Sequence, residues 1–123
     1  MVLLHGYGLD RTMWAPQLAA LEGWTVLNLD IRGHGDSRPC ADFSIPQAAE
    51  DLRAVLVKER CRAPVLVGLS MGGYVVQEYA WQFGGCAGYL VAGATPILLD
   101  CYSGWERAGL RASTPLLRVW PWR

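Results

Sequence analysis

Only two histidines, His5 and His34, occur in the 123 residues. A mechanism that needs a histidine base must use one of these or draw on residues outside the chain. Charge of one sign is also lacking: eleven basic residues balance eleven acidic ones, and the longest basic cluster is Arg60-Cys61-Arg62. That balance argues against nucleic acid or an anionic membrane as a partner. The four cysteines, Cys40, Cys61, Cys86 and Cys101, are widely spaced, with no pair at metal or redox spacing and no companion histidines. They are expected to be reduced, structural thiols, and no metal is expected. No apolar run approaches the length of a membrane span, and no charged segment followed by an apolar one opens the chain. A soluble, cytoplasmic protein is therefore expected. There are no internal repeats and no low-complexity segment. The glycines at 33, 35, 68, 72 and 73 follow neither dinucleotide nor phosphate-loop spacing, so no cofactor is expected. Nothing in the sequence speaks to oligomeric state.

What the chain does have is apolar content, 52% before its fourteen glycines are counted. Together these exceed the usual share for a soluble domain and predict a sheet buried on both faces. The length allows one domain. Short apolar runs at Val2-Leu3-Leu4, residues 25–29, 64–67 and 88–92 read as strands. Between them, helical spacing places Trp14, Leu18 and Leu21 on one face of a helix over 11–21, started by Asp10 and ended before Gly23. A second helix is capped by Ser44, with Pro46 in its first turn; Leu52, Val55 and Leu56 point inward and Glu50, Arg53 and Lys58 outward. A third runs over 71–83. Trp14, Tyr74 and Trp81 fall at packing positions and are expected in the core. Strands alternating with helices over short connections predict an α/β fold, a parallel doubly wound sheet with right-handed crossovers.

Three motifs follow three of these strands. Gly68-Leu69-Ser70-Met71-Gly72 lies between an apolar strand and a helix, the context of a nucleophile elbow. A serine hydroxyl is a weak nucleophile at neutral pH, so an enzyme that uses one must expose it, hold it rigidly and set a base beside it. Gly68, Gly72 and Gly73 leave room for the tight turn, and the helix opening at Met71 turns its positive end toward developing negative charge. His5-Gly6-Tyr7-Gly8 follows the first strand. An oxyanion hole needs two N–H donors from separate segments, and Met71 and Tyr7 are the candidates. His5 is expected to fix that turn through hydrogen bonds. The third motif is the glycine-rich turn over 30–37, in which Asp30 is expected to cap the turn and Arg32 to pair with Asp30 or Asp36.

With these three motifs in this order, the chain resembles the α/β-hydrolase family from Val2 to about Pro96, within its small cap-bearing subgroup of serine esterases, lipases and perhydrolases. The resemblance implies that the four strands are the third to sixth of a larger sheet, with the nucleophile strand beside the first one here and both sheet edges uncovered. It implies a partial hydrolase core over 1–96 and the truncated start of a helical cap over 97–123. It implies attack by Ser70 on a small-molecule ester or related acyl compound, with an acyl-enzyme intermediate. Serine at the elbow argues against the related haloalkane dehalogenases, which carry aspartate there.

In the family the histidine and the acid follow later strands, which this sequence does not contain. Asp100, after the fourth strand, is a position some members use for the acid, and His34 is a substitute-base candidate near the pocket rim. The chain is thus expected to be the N-terminal half of a hydrolase and inactive alone. Two alternatives stand beside the esterase reading. One is a non-catalytic fragment, or a protein completed by a partner. The other is a perhydrolase or C–C bond hydrolase of the same fold.

Overall fold

The computed structural model describes residues 1–94. Asp100, Cys101 and the expected cap over 97–123 lie outside the described residues. Four strands form one parallel sheet: β1 (Val2–Leu4), β2 (Leu27–Leu29), β3 (Val65–Leu69) and β4 (Gly88–Ala92), in the order β2-β1-β3-β4. This is the incomplete, parallel, doubly wound sheet expected. The chain leaves β1 toward one edge and β3 toward the other, so the sheet reverses direction between β1 and β3. In open α/β sheets such a switch point opens a crevice at the carboxyl ends of the strands. Register sets Leu4 opposite Gly68, which brings the residues after β1 beside those after β3.

Helix α2 (Ile45–Lys58) starts where Ser44 caps it, its hydroxyl accepting the Gln47 N–H at 3.3 Å, with Pro46 in the first turn. Leu52 and Leu56 are buried, Val55 is half-buried, and Glu50, Arg53 and Lys58 are exposed. Helix α3 (Met71–Gln82) packs beside α2, and Val75, Val76 and Tyr79 join Val2, Leu4 and Leu66 in one core. Strand alternation sends Leu3 and Val67 to the other face, where they too are buried. Among the described residues, no helix is long and apolar enough to cross a membrane.

Two expectations about packing need correction. The helix over 11–21 is broken into a 3-10 turn (Arg11–Trp14), one α-turn, α1 (Ala15–Leu18), and a second 3-10 turn (Ala19–Leu21). Pro16 has no N–H to extend a ladder into the preceding turn, and the segment has no buried residue to hold a longer helix. Trp81 is not in the core but 88% exposed. Its spacing from Val75, Val76 and Tyr79 turns it off their stripe, away from the sheet. Trp14 and Tyr74 are half-buried, and the Trp14 Nε1 has no hydrogen-bond partner among the described residues. Tyr89, Leu90 and Val91 are exposed along the edge strand β4.

Candidate active site

At the end of β3 the backbone turns through Ser70 at φ +50° and ψ −112°, a conformation an L-residue adopts only under constraint. The constraint comes from hydrogen bonds on both sides. The Ser70 N–H donates to the Ala92 carbonyl at 2.7 Å, and its carbonyl accepts the Tyr74 N–H at 3.2 Å. Gly72 donates to the His5 carbonyl at 3.1 Å, pulling the start of α3 onto the end of β1. Contact is so close that a Cβ on Gly72 would lie 2.4 Å from the Leu4 carbonyl oxygen, and one on Gly68 would lie 2.3 Å from that of Gly72. A Cβ on Gly73 would meet that of Ala94 at 2.8 Å. Ser70 itself is half-buried.

The turn after β1 passes beside this elbow. A Cβ on Gly6 would sit 3.6 Å from that of Ser70. Beyond it Tyr7 is exposed, and Met71 is buried at the first position of α3. Neither the Tyr7 nor the Met71 N–H has a hydrogen-bond partner among the described residues. The structure thus brings Ser70, Gly6, Gly68, Gly72, Gly73, Met71 and the Tyr7 turn together at the switch point.

His5 lies fully buried beneath that turn. Its Nε2 accepts the Ile31 N–H at 3.0 Å, which leaves the proton on Nδ1, and that N–H donates to the Gly6 carbonyl at 2.8 Å. Both nitrogens are occupied, so His5 supports the turn and is not available to Ser70. Burial lowers its pKa from the usual 6.5, partly opposed by the bond to Gly6. The folded chain therefore binds this proton less readily than the unfolded chain. Stability contributed by neutral His5 is complete above about pH 6.5 and is lost as the pH falls toward the lower folded value. Urea midpoints measured between about pH 8 and pH 5 should drop through the acidic part of that range, and His5→Gln should flatten the drop. An equal drop in the variant would assign it to other groups.

The turn over 30–37 meets the same loop from the side. Its charge pairing corrects the expectation for Arg32, which forms a bidentate pair with Asp51 of α2 at 2.5 and 2.7 Å. Asp30 and Asp36 are instead bridged by Arg11. The Arg11 N–H and Nη1 donate to Asp30 at 2.6 and 2.7 Å, and Nη2 reaches Asp36 at 2.5 Å. Asp30 also accepts the Asp36 N–H at 3.0 Å, closing the turn as expected of a cap. No local signal pointed to Arg11, which lies far from Asp30 in sequence. His34 is buried, with Nδ1 at 3.1 Å from the Arg32 carbonyl. Its ring lies 5.2 Å from that of His5, 5.6 Å from Tyr7 and 6.1 Å from Phe43, centroid to centroid. Among the described residues, no group of three or more histidine, cysteine, aspartate or glutamate side chains could hold a metal ion.

A strained serine between strand and helix, beside a turn whose N–H has no partner among the described residues, is an arrangement suited to acyl transfer. Residues 1–123 match the model of the "Alpha/beta hydrolase family". The chain belongs to the alpha/beta hydrolase family. Among solved hydrolases it is similar to a thermophilic esterase from Thermogutta terrifontis, at 31% identity and a TM-score of 0.79, covering 96% of this chain and 44% of that one. An esterase from Exiguobacterium antarcticum is 30% identical with a TM-score of 0.71, over 76% of this chain and 37% of that one. The 2-succinyl-6-hydroxy-2,4-cyclohexadiene-1-carboxylate synthase of Enterobacter sp. is 35% identical over 101 residues, 81% of this chain and 39% of that protein. The chain spans a quarter to two fifths of the length of the curated hydrolase relatives it matches.

Proposed function

We propose that the protein is a serine hydrolase that cleaves a small carboxylic ester or related acyl compound through an acyl-enzyme on Ser70. The observation that carries this reading is the Ser70 backbone, held at φ +50° by bonds to Ala92 and Tyr74 directly beside the Tyr7 turn. A strained residue at a switch point, in a family with esterase neighbours, is well placed for a nucleophile. In this reading Ser70 Oγ attacks the carbonyl carbon while a base takes its proton. The oxyanion is met by the N–H groups of Tyr7 and Met71, each donor stabilising the transition state by about 3 kcal/mol. Collapse of the tetrahedral species expels the alcohol and leaves the acyl group on Ser70. Water, activated by the same base, then releases the acid.

The base is assigned to a histidine in the part of the relatives' length that this chain does not span. Both nitrogens of His5 are engaged. The acid is assigned to the same part, and Asp100 is the alternative should it lie within the chain. Residues 97–123 would begin the cap that lines the acyl pocket. The substrate is a small molecule, the chemistry needs no cofactor, and the setting is cytoplasmic.

Trapping the acyl-enzyme tests the reading. A slowly deacylated nitrophenyl ester should add one acyl mass to the full-length protein, and digestion should place it on the Ser70 peptide. A label elsewhere would overturn it. The 123-residue chain by itself should hydrolyse a short-chain nitrophenyl ester no faster than its Ser70→Ala variant. A Ser70-dependent rate in that chain would mean that the base lies within it, and His34 would be the candidate.

A second reading is favoured by the likeness to the cyclohexadiene-carboxylate synthases, whose name describes no ester. The same elbow would then serve C–C bond chemistry on a carboxylate-bearing substrate. Turnover of such a compound without a trapped acyl-enzyme would select it.

A further inference from the structure

Among the buried titratable groups the mechanism leaves unused is His34, on a glycine-rich turn that takes no part in the proposed chemistry. This turn meets the loop carrying Tyr7 at three points. Behind Tyr7, the Ile31 N–H donates to His5 Nε2 at 3.0 Å. Ahead of it, Asp30 binds the Arg11 N–H at 2.6 Å and Nη1 at 2.7 Å. Between these anchors, the His34 ring meets the Tyr7 ring edge to face, at 5.6 Å and 75°. Among the described residues Tyr7 meets no other aromatic ring, and it is 44% exposed.

The turn is stiff enough to act as a mount. Its backbone closes on itself through His34 N–H to Ile31 O at 3.0 Å and Ser37 N–H to His34 O at 2.9 Å. Gly33 and Gly35 flank His34 at φ +76° and +47°, and a Cβ on Gly35 would fall 2.3 Å from the Asp30 carboxylate. The His34 ring is fixed in turn by its Nδ1 contact with Arg32 O, at 3.1 Å, and by the rings of His5 and Phe43.

The geometry points to His34 as a positioning residue that sets the direction of the Tyr7 N–H by holding its side chain from beside. This rests on the assignment of Ser70 and the Tyr7 N–H in the proposed function. An oxyanion donor acts only within about 2.7–3.1 Å of the oxygen, so a small swing of the Tyr7 peptide removes much of its effect. Such a residue acts on the transition state and leaves ground-state binding alone.

The test uses the full-length protein with His34→Ala, His34→Phe and Ser70→Ala, a nitrophenyl ester, and phenylboronic acid as the tetrahedral mimic. His34→Ala should lower kcat about tenfold with little change in KM, and should weaken phenylboronic acid by a similar factor. His34→Phe keeps a ring against Tyr7 and should recover most of both. An unchanged kcat in His34→Ala, a fall in kcat without weaker boronate binding, or a His34→Phe as slow as His34→Ala would each overturn the assignment. If Ser70→Ala retains turnover and boronate binding, the Ser70 reading fails and this one with it. If Ser70→Ala is dead while His34→Ala is unaffected, only the role of His34 fails.

Discussion

Ser70→Ala in the full-length protein is expected to reduce ester turnover by roughly 10⁵-fold or more, the scale seen when an acyl-transfer nucleophile is removed, while the fold persists. Persistence follows from what Ser70 contributes to the fold. Its side chain makes no cap hydrogen bond at the start of α3, and the links to Ala92 and Tyr74 are made by its backbone. Ser70→Gly carries the argument further. At φ +50° a glycine is unstrained, so this variant should be equally inactive and more stable than the native chain by about 1 kcal/mol, the lower end of the cost of such a conformation. Initial rates and urea denaturation on the three proteins check both statements. Retained turnover in Ser70→Ala would remove Ser70 from the mechanism. A Ser70→Gly no more stable than Ser70→Ala would show that the elbow stores no strain.

Gly72→Ala should have a large effect on stability. The added Cβ would face main chain alone, at 2.4 Å from the Leu4 oxygen, 2.7 Å from its carbon and 2.8 Å from the His5 oxygen. Backbone cannot rotate out of the way as a side chain can. Helix α3 must therefore withdraw from β1, and the Gly72–His5 hydrogen bond lengthens or breaks. A loss of about 3 kcal/mol or more is expected, at the upper end for overpacking. Gly88→Ala serves as the control. Its Cβ would find its nearest neighbour at 3.9 Å, an ordinary contact, so its effect should stay within about 1 kcal/mol. Equal denaturation midpoints for the two variants would mean that the approach of α3 to β1 is looser than described.

Elements whose signals are local were legible in the sequence. Strand β4 occupies the expected residues, α2 begins at Ile45 directly after its cap Ser44, and the strand–turn–helix order placed Ser70 directly after β3. Misreadings arose where packing decides. Helical spacing over 11–21 ignored Pro16 and assumed a surface to pack on, yet none of the segment's residues is buried. Trp81 was read as falling at a packing position of its helix, whereas its angular offset from Val75, Val76 and Tyr79 on α3 exposes it. Charge partners were beyond local reasoning. Arg32 has acidic residues close by in sequence but binds Asp51 from α2, while Arg11 crosses from the first connection to Asp30. The packing of His34 on Tyr7 and His5 likewise joins two turns that only the sheet brings together.

The strand order also dictates the sequence of events during folding. Val2 pairs with Leu27 on one side and with Leu66 on the other, and even the shortest ladder to β4 joins Val65 to Gly88. No hairpin exists among these pairings to nucleate the sheet cheaply. Chain closure must precede nearly every strand contact, which places such a topology among slower folders. Strand β1, made well before β3 and the most thoroughly buried of the four, cannot complete its pairing until β3 has been made. Through that interval Val2, Leu3 and Leu4 are an unpaired apolar edge, so the yield of native protein should depend on temperature and chaperone supply more than on final stability.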